Sequence, residues 1–237
     1  MNAEESDLKK KKNTIPKICY LIGAGDFAAQ AYERRPPRHG DFVVAADGGY
    51  DSVSRFTGKK SKVDLLVGDF DSLTSIPTDG GIVRYPTEKD QTDMFLAMEE
   101  GLARGYRIFF IYGATGGRLD HTFGNFQLLS HLANRGGIAF LISDTENVTI
   151  IKNEDLHFTS EAKGTISVFS YGGTAKGVSL TGLRYSLDDA TLESDFPLGV
   201  SNEFIGFSSE VFVKEGQLLV IWSGAVHKTV ELKEIVL

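Results

Sequence analysis

The stretch that decides the fold is Val63–Leu73, VDLLVGDFDSL. A short apolar run ends in Gly68 and then in Asp69 and Asp71, two carboxylates flanking Phe70. Such a run, bounded by glycine and acidic residues, reads as a buried parallel strand that stops at a loop. In open α/β sheets, ligands collect outside the carboxyl ends of such strands. Two carboxylates at i and i+2 on a turning loop can converge on one hard cation, and Mg²⁺ takes one or two carboxylates together with substrate phosphates. Taken alone, the motif is equally a strand end with solvated turn aspartates. Further acidic clusters built on the same pattern favour the ligand reading.

Upstream, KICYLIGAG (Lys17–Gly25) is a strand followed by a glycine turn, and residues 26–34 open a helix. GAGDFA is either a fragment of a phosphate-cradling loop or a tight strand-to-helix turn that needs its glycines for packing alone. Phe42–Ala46 is a strand ending at Asp47-Gly48-Gly49, with a short helix after it that stops near Gly58. Downstream, Gly81–Tyr85 is a short strand. Met94, Phe95, Ala97, Met98 and Leu102 then recur at helical spacing, which predicts a helix over Thr92–Arg104. A cap explains Thr92 and a first-turn acid explains Asp93, which leaves Lys89-Asp90 unexplained. Arg107–Tyr112 is an apolar strand running into GATGGRLDH. There Gly113, Gly116 and Gly117 let the backbone approach a ligand, and Arg118 and Asp120 bring charge beside it. A helix over Thr122–Ala133 follows, with Phe123, Phe126, Leu129 and Leu132 as its buried stripe, and then a strand over Gly137–Ser143.

Strand, acidic or glycine loop, and helix thus recur over residues 17–147, predicting a doubly wound, mostly parallel α/β sheet. All the Asp-bearing loops follow strands, so Asp47, Asp69, Asp71, Asp90, Asp93 and Asp120 face one crevice at one sheet edge. Carboxylates gathered in this way repel unless cations or donors stand among them, which argues for Mg²⁺. Over residues 148–237 the pattern becomes short alternating segments separated by Asn, Gly, Asp and Ser, with no helical stretch. That predicts a C-terminal antiparallel β-sandwich or a compact barrel, with a domain boundary near Val148. SDFPLGVSN (Ser194–Asn202) is a turn-rich loop, either a ligand loop or a simple connection.

The net charge of −7 over 237 residues argues against nucleic acid as a partner, since phosphodiester binding needs a basic face. It leaves a nucleotide open, whose phosphates can be met by Mg²⁺ held on aspartates. The single cysteine, Cys19, excludes an internal disulfide or a cysteine zinc site and reads as a buried thiol. Residues 1–16 read as a flexible, solvated tail. The apolar run after Lys9–Lys12 is too short for a signal peptide, and no stretch is long enough to span a bilayer. A cytoplasmic protein with no membrane partner is expected.

Taken together, the segments resemble thiamine pyrophosphokinases. The resemblance is carried by AADGGYDS (Ala45–Ser52), VGDFDSL (Val67–Leu73), EKDQTDMFLA (Glu88–Ala97) and GATGGRLDHTFGN (Gly113–Asn125). KGVSLTGLRYSLDDATL (Lys176–Leu192) and GVSNEF (Gly199–Phe204) continue it in the second half, with Ser186 departing from the proline expected after the tyrosine. It implies a thiamine-binding β-sandwich, a homodimer with sites between subunits, and transfer from ATP to the thiamine hydroxyl, giving thiamine diphosphate and AMP. It assigns Asp69, Asp71 and Asp93 to Mg²⁺, and Asp71, Asp93, Arg118 and Asp120 to catalysis. It assigns Asp47, Lys89, Asp90, Thr92, Arg118 and Asn125 to ATP, and Ser201 and Asn202 to thiamine. Three rivals are a pterin diphosphokinase, a non-catalytic nucleotide or thiamine sensor, and a haloacid-dehalogenase-like phosphatase. In the last, the Asp pair follows the strand directly, whereas here Gly68 intervenes.

Overall fold

Strand β1 (Ile18–Ile22) is buried at every position, as a strand must be when both faces of its sheet are covered. The structure, a computed structural model, describes residues 16–57, 62–70, 81–86, 88 and 90–232. The tail expected over residues 1–16 lies almost wholly outside these, as do Asp71 and Lys89. β1 pairs in parallel with β2 (Phe42–Ala46) on one side and β5 (Ile108–Tyr112) on the other. β3 (Leu65–Gly68) and β4 (Gly81–Arg84) extend the parallel array beyond β2, and β6 (Ile138–Ile142) extends it beyond β5. The order β6-β5-β1-β2-β3-β4 reverses its direction of growth between β1 and β5, which makes that crevice the topological switch point.

Alternation along the strands feeds two cores. Ile18, Tyr20 and Ile22 face α1 (Ala29–Arg34) and α2 (Gly49–Thr57), meeting Tyr32 and Val53. Cys19 and Leu21 face α3 (Asp93–Ala103) and α4 (Leu119–Asn134), meeting Ala97, Met98, Leu129 and Leu132. Helices on both faces of a parallel sheet are the doubly wound arrangement that the sequence predicts.

At Ser143 the chain turns back. β7 (Glu146–Lys152) runs antiparallel to β6, and β14 (Gln217–Ser223), β9 (Thr165–Ser170) and β12 (Gly199–Glu203) add on antiparallel to give one ten-stranded sheet. The pattern of the sequence changes where parallel pairing gives way to antiparallel, yet the sheet runs on unbroken. A second sheet, ordered β11-β10-β13-β8, comprises β8 (Asp155–Phe158), β10 (Ala175–Thr181), β11 (Leu187–Leu192) and β13 (Ser209–Glu215). Its Leu156, Val178, Val211 and Val213 share one core with Val168, Leu218, Val220 and Trp222 of the first sheet, completing the sandwich. Phe158 meets the Trp222 ring edge-on at 5.4 Å, and Trp222 meets Phe140 at 6.1 Å, so the sandwich core continues into the α/β half.

Three expectations are corrected. α4 begins at Leu119, ahead of the expected Thr122, and Phe123 is 57% exposed. Phe123 precedes the buried Leu129 by six residues, a rotation of about 240° at about 100° per residue, so the two cannot share a face. The buried stripe is Leu128, Leu129, Leu132 and Ala133, with Phe126 half-buried. The expected loop after Ser194 is in its second part the edge strand β12. The β half, expected to hold no helical stretch, carries one helical turn among the described residues, α5 (Val226–Thr229). Among the described residues, no helix is long and apolar enough to cross a membrane.

Candidate active site

The carboxyl ends of β1, β2 and β5 and the amino ends of α3 and α4 enclose a cleft of about 670 Å³. Asp47, Thr92, Asp93, Arg118, Asp120 and Asn125 all line it. Six of the residues singled out in the sequence therefore meet in one place, at the switch-point edge of the sheet.

Each is delivered by a local rule. Asp47 leaves the end of β2 with φ +44°, its N–H donating to the Val67 carbonyl of β3 at 2.8 Å. Gly68 lies against it: a Cβ on Gly68 would meet the Asp47 Cβ at 3.1 Å. Asp69, one residue further along and half-buried, thus follows directly on the backbone beside Asp47. Phe70, between the two sequence-marked aspartates, is buried with φ +68° and has the Arg84 guanidinium over its ring. A bulky residue held in the left-handed region is strained, and such strain clusters at functional sites. Thr92 caps α3, its hydroxyl accepting from the Phe95 N–H at 3.2 Å, and this fixes Asp93 in the first turn. Asp90 is exposed on the segment before that cap and does not line the cleft.

Asn125 donates from Nδ2 to the Ala114 carbonyl at 2.7 Å, pinning α4 to the glycine loop. Arg118 and Asp120 form a two-pronged ion pair, with Nε to Oδ1 at 3.1 Å and Nη2 to Oδ2 beside it. The hydrogen bond from Arg118 holds the Asp120 carboxyl below the usual carboxylate range, and Asp120 in turn pushes Arg118 up. Both are exposed, so the guanidinium stands preoriented at the mouth of the cleft.

The glycine turn after β1 resolves the choice left open by its sequence. The amides of Gly23, Gly25 and Asp26 donate to the carbonyls of Tyr112, Gly113 and Thr115 at 2.8–3.0 Å. They are used within the fold, so the turn is there for close packing: a Cβ on Gly23 would meet the Gly113 oxygen at 2.5 Å. Gly23, Ala24 and Gly25 nevertheless form one wall of the cleft. Sequence reasoning left them unassigned as ligand contacts, although a Gly-x-Gly directly after a strand was the available signal.

Ser201 and Asn202 lie elsewhere, on β12 at the far edge of the sheet. Seven strand spacings separate β12 from β2, which amounts to about 34 Å along the sheet at about 4.8 Å each. A register shift interrupts the β12–β9 pairing between Gly199 and Asn202, and Ser201 sits there with φ +58°. Such bulges re-aim a side chain. Ser201 is exposed, whereas Asn202 is buried and bonded to the backbone of Tyr185. Tyr185, bonded through its backbone to Asn202 and 62% exposed, carries no signal of a ligand contact in the sequence.

Residues 37–141 match the family model described as "Thiamin pyrophosphokinase, catalytic domain", and residues 148–219 match "Thiamin pyrophosphokinase, vitamin B1 binding domain". The chain belongs to the thiamin pyrophosphokinase family. A thiamine pyrophosphokinase of Bacillus subtilis (strain 168) is 31% identical over 163 residues, spanning 66% of this chain and 76% of that protein. The crystal structure of thiamine pyrophosphokinase from Bacillus subtilis aligns with a TM-score of 0.78 at 25% identity, covering 87% of this chain and 99% of that one. The thiamin pyrophosphokinase of Geobacillus thermodenitrificans aligns with a TM-score of 0.73 at 26% identity, covering 87% and 97%. The two family segments part between 141 and 148, where β6 turns into β7. The cleft residues from Asp47 to Asn125 fall in the catalytic segment, and Ser201 and Asn202 fall in the vitamin-binding segment. The glycine turn at Gly23 precedes both.

The cleft donors suit a hard cation: Asp47, Asp93 and Asp120 offer carboxylate oxygens and Thr92 a hydroxyl, with no thiol among the lining residues. Among the described residues, no three His, Cys, Asp or Glu side chains are grouped closely enough to hold a metal ion by themselves.

Proposed function

We propose that this chain is a thiamine diphosphokinase, transferring the β,γ-pyrophosphoryl group of ATP to the thiamine hydroxyl and releasing AMP. The observation that supports it most is the meeting of Asp47, Thr92, Asp93, Arg118 and Asn125 in one cleft, within the segment that matches the family's catalytic domain. The hydroxyl oxygen of thiamine forms a bond to the β-phosphorus, and the bond from that phosphorus to the α,β-bridging oxygen breaks. AMP leaves with the bridging oxygen, and the hydroxyl proton passes to Asp93. Phosphoryl chemistry asks little covalent work of a protein; positioning and charge placement supply most of the rate. Arg118, already held by Asp120, counters charge as it moves onto the leaving phosphate. Lys89, outside the described residues, would do the same from the segment before α3. Asp69 and Asp71, with Asp93, would hold Mg²⁺, which when bound supplies Lewis-acid stabilisation of the phosphate oxygens. Asn125 acts at the nucleotide side by fixing the glycine loop, whereas Asp90 lies outside the cleft lining.

Ser201 and the loop it sits on would contact thiamine. One chain's β12 stands seven strands along the sheet from β2, which delivers its own Asp47. The geometry therefore favours a homodimer in which the vitamin-binding edge of one copy completes the cleft of the other.

The test is nucleotide product analysis with purified protein, ATP and Mg²⁺, with and without thiamine. AMP formed only with thiamine, and matched by thiamine diphosphate, is the expected result. ADP would mean attack at the γ-phosphorus, and no thiamine-dependent product would turn the search to a pterin alcohol.

A further inference from the structure

A cavity of about 60 Å³ lies where the end of α1 meets the β6–β7 hairpin and the start of α5. It shares no lining residue with the active-site cleft. Arg34, Arg35, Asp144, Asn147 and His227 line it, and all of them fall outside residues 37–141 and 148–219, the stretches that match the family models. The volume is about that of two waters, enough for one tetrahedral oxyanion and too little for a nucleoside.

Two features point to a ligand there. The first is an acceptor with nothing to accept from. Asn147 is 1% exposed, and its Nδ2 donates to the Gly224 carbonyl at 2.5 Å and to the Trp222 carbonyl at 3.5 Å. Two carbonyl partners fix which end of the amide is nitrogen. Oδ1 is buried and has no partner among the described residues. A buried acceptor left so is costly, and it calls for a donor from outside the fold. The second feature is positive charge with donors to spare, in a chain of net charge −7. Arg35, 6% exposed, makes both of its side-chain hydrogen bonds through Nη1, to the Tyr20 hydroxyl and to Asp41 at 3.2 Å. Nε and Nη2 have no partner among the described residues. Arg34 is exposed and reaches the Gln30 amide oxygen at 3.5 Å. The charges that act on the half-buried His227 imidazole are all cationic: after burial, Lys228, Arg35, Arg34 and Arg38 hold it below its ordinary value. Asp144, exposed at the rim, is the one carboxylate of the lining.

We propose that this cavity binds inorganic phosphate as its monohydrogen dianion. Arg34, Arg35 and the His227 imidazole donate to its oxygens, and its one hydroxyl donates to Asn147 Oδ1. Guanidinium groups suit such an ion because their forked donors make charge-assisted bonds to its oxygens. The acceptor sets the selectivity. Hydrogen phosphate has a proton to offer, whereas sulfate, fully ionised at neutral pH, would set its lone pairs against Oδ1 and the Asp144 carboxylate. Bound there, the ion bridges α1, which follows the Gly23 turn of the active-site cleft, to β7 and α5.

The test compares the full-length chain with an Arg34→Gln/His227→Gln double variant and with Ala31→Leu, which fills the cavity and keeps its charges. Phosphate and sulfate are titrated calorimetrically at fixed ionic strength, and melting temperatures are taken with each ion. The parent should bind phosphate about tenfold more tightly than sulfate, and both variants should lose about tenfold in phosphate affinity. Phosphate at about ten times its Kd should raise the parent's Tm by about 3–5 °C. Both ions strengthen apolar burial as solutes, so the difference between them reports the site. Phosphate held in the active-site cleft would be untouched by either variant, so the loss locates the ion. An equal response to the two ions, or full phosphate affinity in the folded variants, would overturn the proposal. So would a parent that takes up no phosphate, its Asn147 Oδ1 being met by water alone. No turnover is measured, so the result stands whatever reaction the chain performs.

Discussion

Asn202 holds Tyr185 by both its backbone N–H and its backbone carbonyl. Its Oδ1 accepts from the Tyr185 N–H at 3.0 Å, and its Nδ2 donates to the Tyr185 carbonyl at 2.6 Å. The same Oδ1 accepts from the Glu203 N–H at 2.9 Å, and the side chain is 4% exposed. A buried amide with its partners satisfied is fixed in place, and so is the backbone it binds. The residue expected to touch thiamine thus has its amide engaged with the loop between β10 and β11, while Ser201 and Tyr185 stand exposed.

Truncation to Ala would leave the Tyr185 N–H and carbonyl without these partners, at a cost of about 1–3 kcal/mol. Asn202→Ala should therefore lower the urea midpoint measurably and raise thiamine KM while sparing ATP KM. An unchanged midpoint would show that the clamp contributes nothing to stability.

Gly113 and Gly23 approach so closely that a Cβ on Gly113 would meet the Gly23 oxygen at 2.4 Å, and Gly113 has φ +63°. Gly113→Ala combines backbone strain with a steric shift of the β1 turn, each of which costs about 1–3 kcal/mol. Thermal denaturation should show a clear drop, and turnover should fall because both turns wall the cleft. A variant as stable and active as the parent would mean that the turn gives way easily.

The parallel half was legible because its signals are local. β1 and β5 are apolar at every position, and each strand that opens the cleft ends in glycine or aspartate. What escaped the sequence depends on partners far along the chain. The alternation of β7 says strand, but not that it pairs with β6 and prolongs the first sheet. Asn202 finds its partner 17 residues away across a bulge, so its polar side chain looks in sequence like a ligand contact. The start of α4 was misplaced because its cap, Arg118, makes no side-chain capping bond and gave no signal. The amides of the Gly23 turn are consumed by the end of β5 and the loop that follows it, a pairing that only the fold reveals.

Arg118 and Asp120 are both exposed, so their pair contributes little to stability. Its value lies in orienting the guanidinium. Arg118→Ala should leave the melting temperature within a degree and lower kcat by about 10²-fold, the scale of losing one charge-stabilising donor. Arg118→Lys should recover only part, since an ammonium cannot make the fork to Asp120. Assays of thiamine diphosphate formation decide it: full activity in Arg118→Ala would remove this residue from the chemistry.

His227, at the start of α5, is held below its ordinary value by burial first, and then by Lys228, Arg35, Arg34 and Arg38. Above about pH 6.5 the imidazole is neutral in both folded and unfolded chains and contributes no slope. As pH falls through that value, the unfolded chain takes up a proton that the folded chain resists, so stability declines until the folded group also protonates. The His227→Gln variant has no such proton to take up. Melting temperatures measured between pH 7.5 and 5 should fall more steeply in the parent than in the variant. Parallel curves would mean that His227 takes up its proton as readily in the folded chain as in the unfolded one.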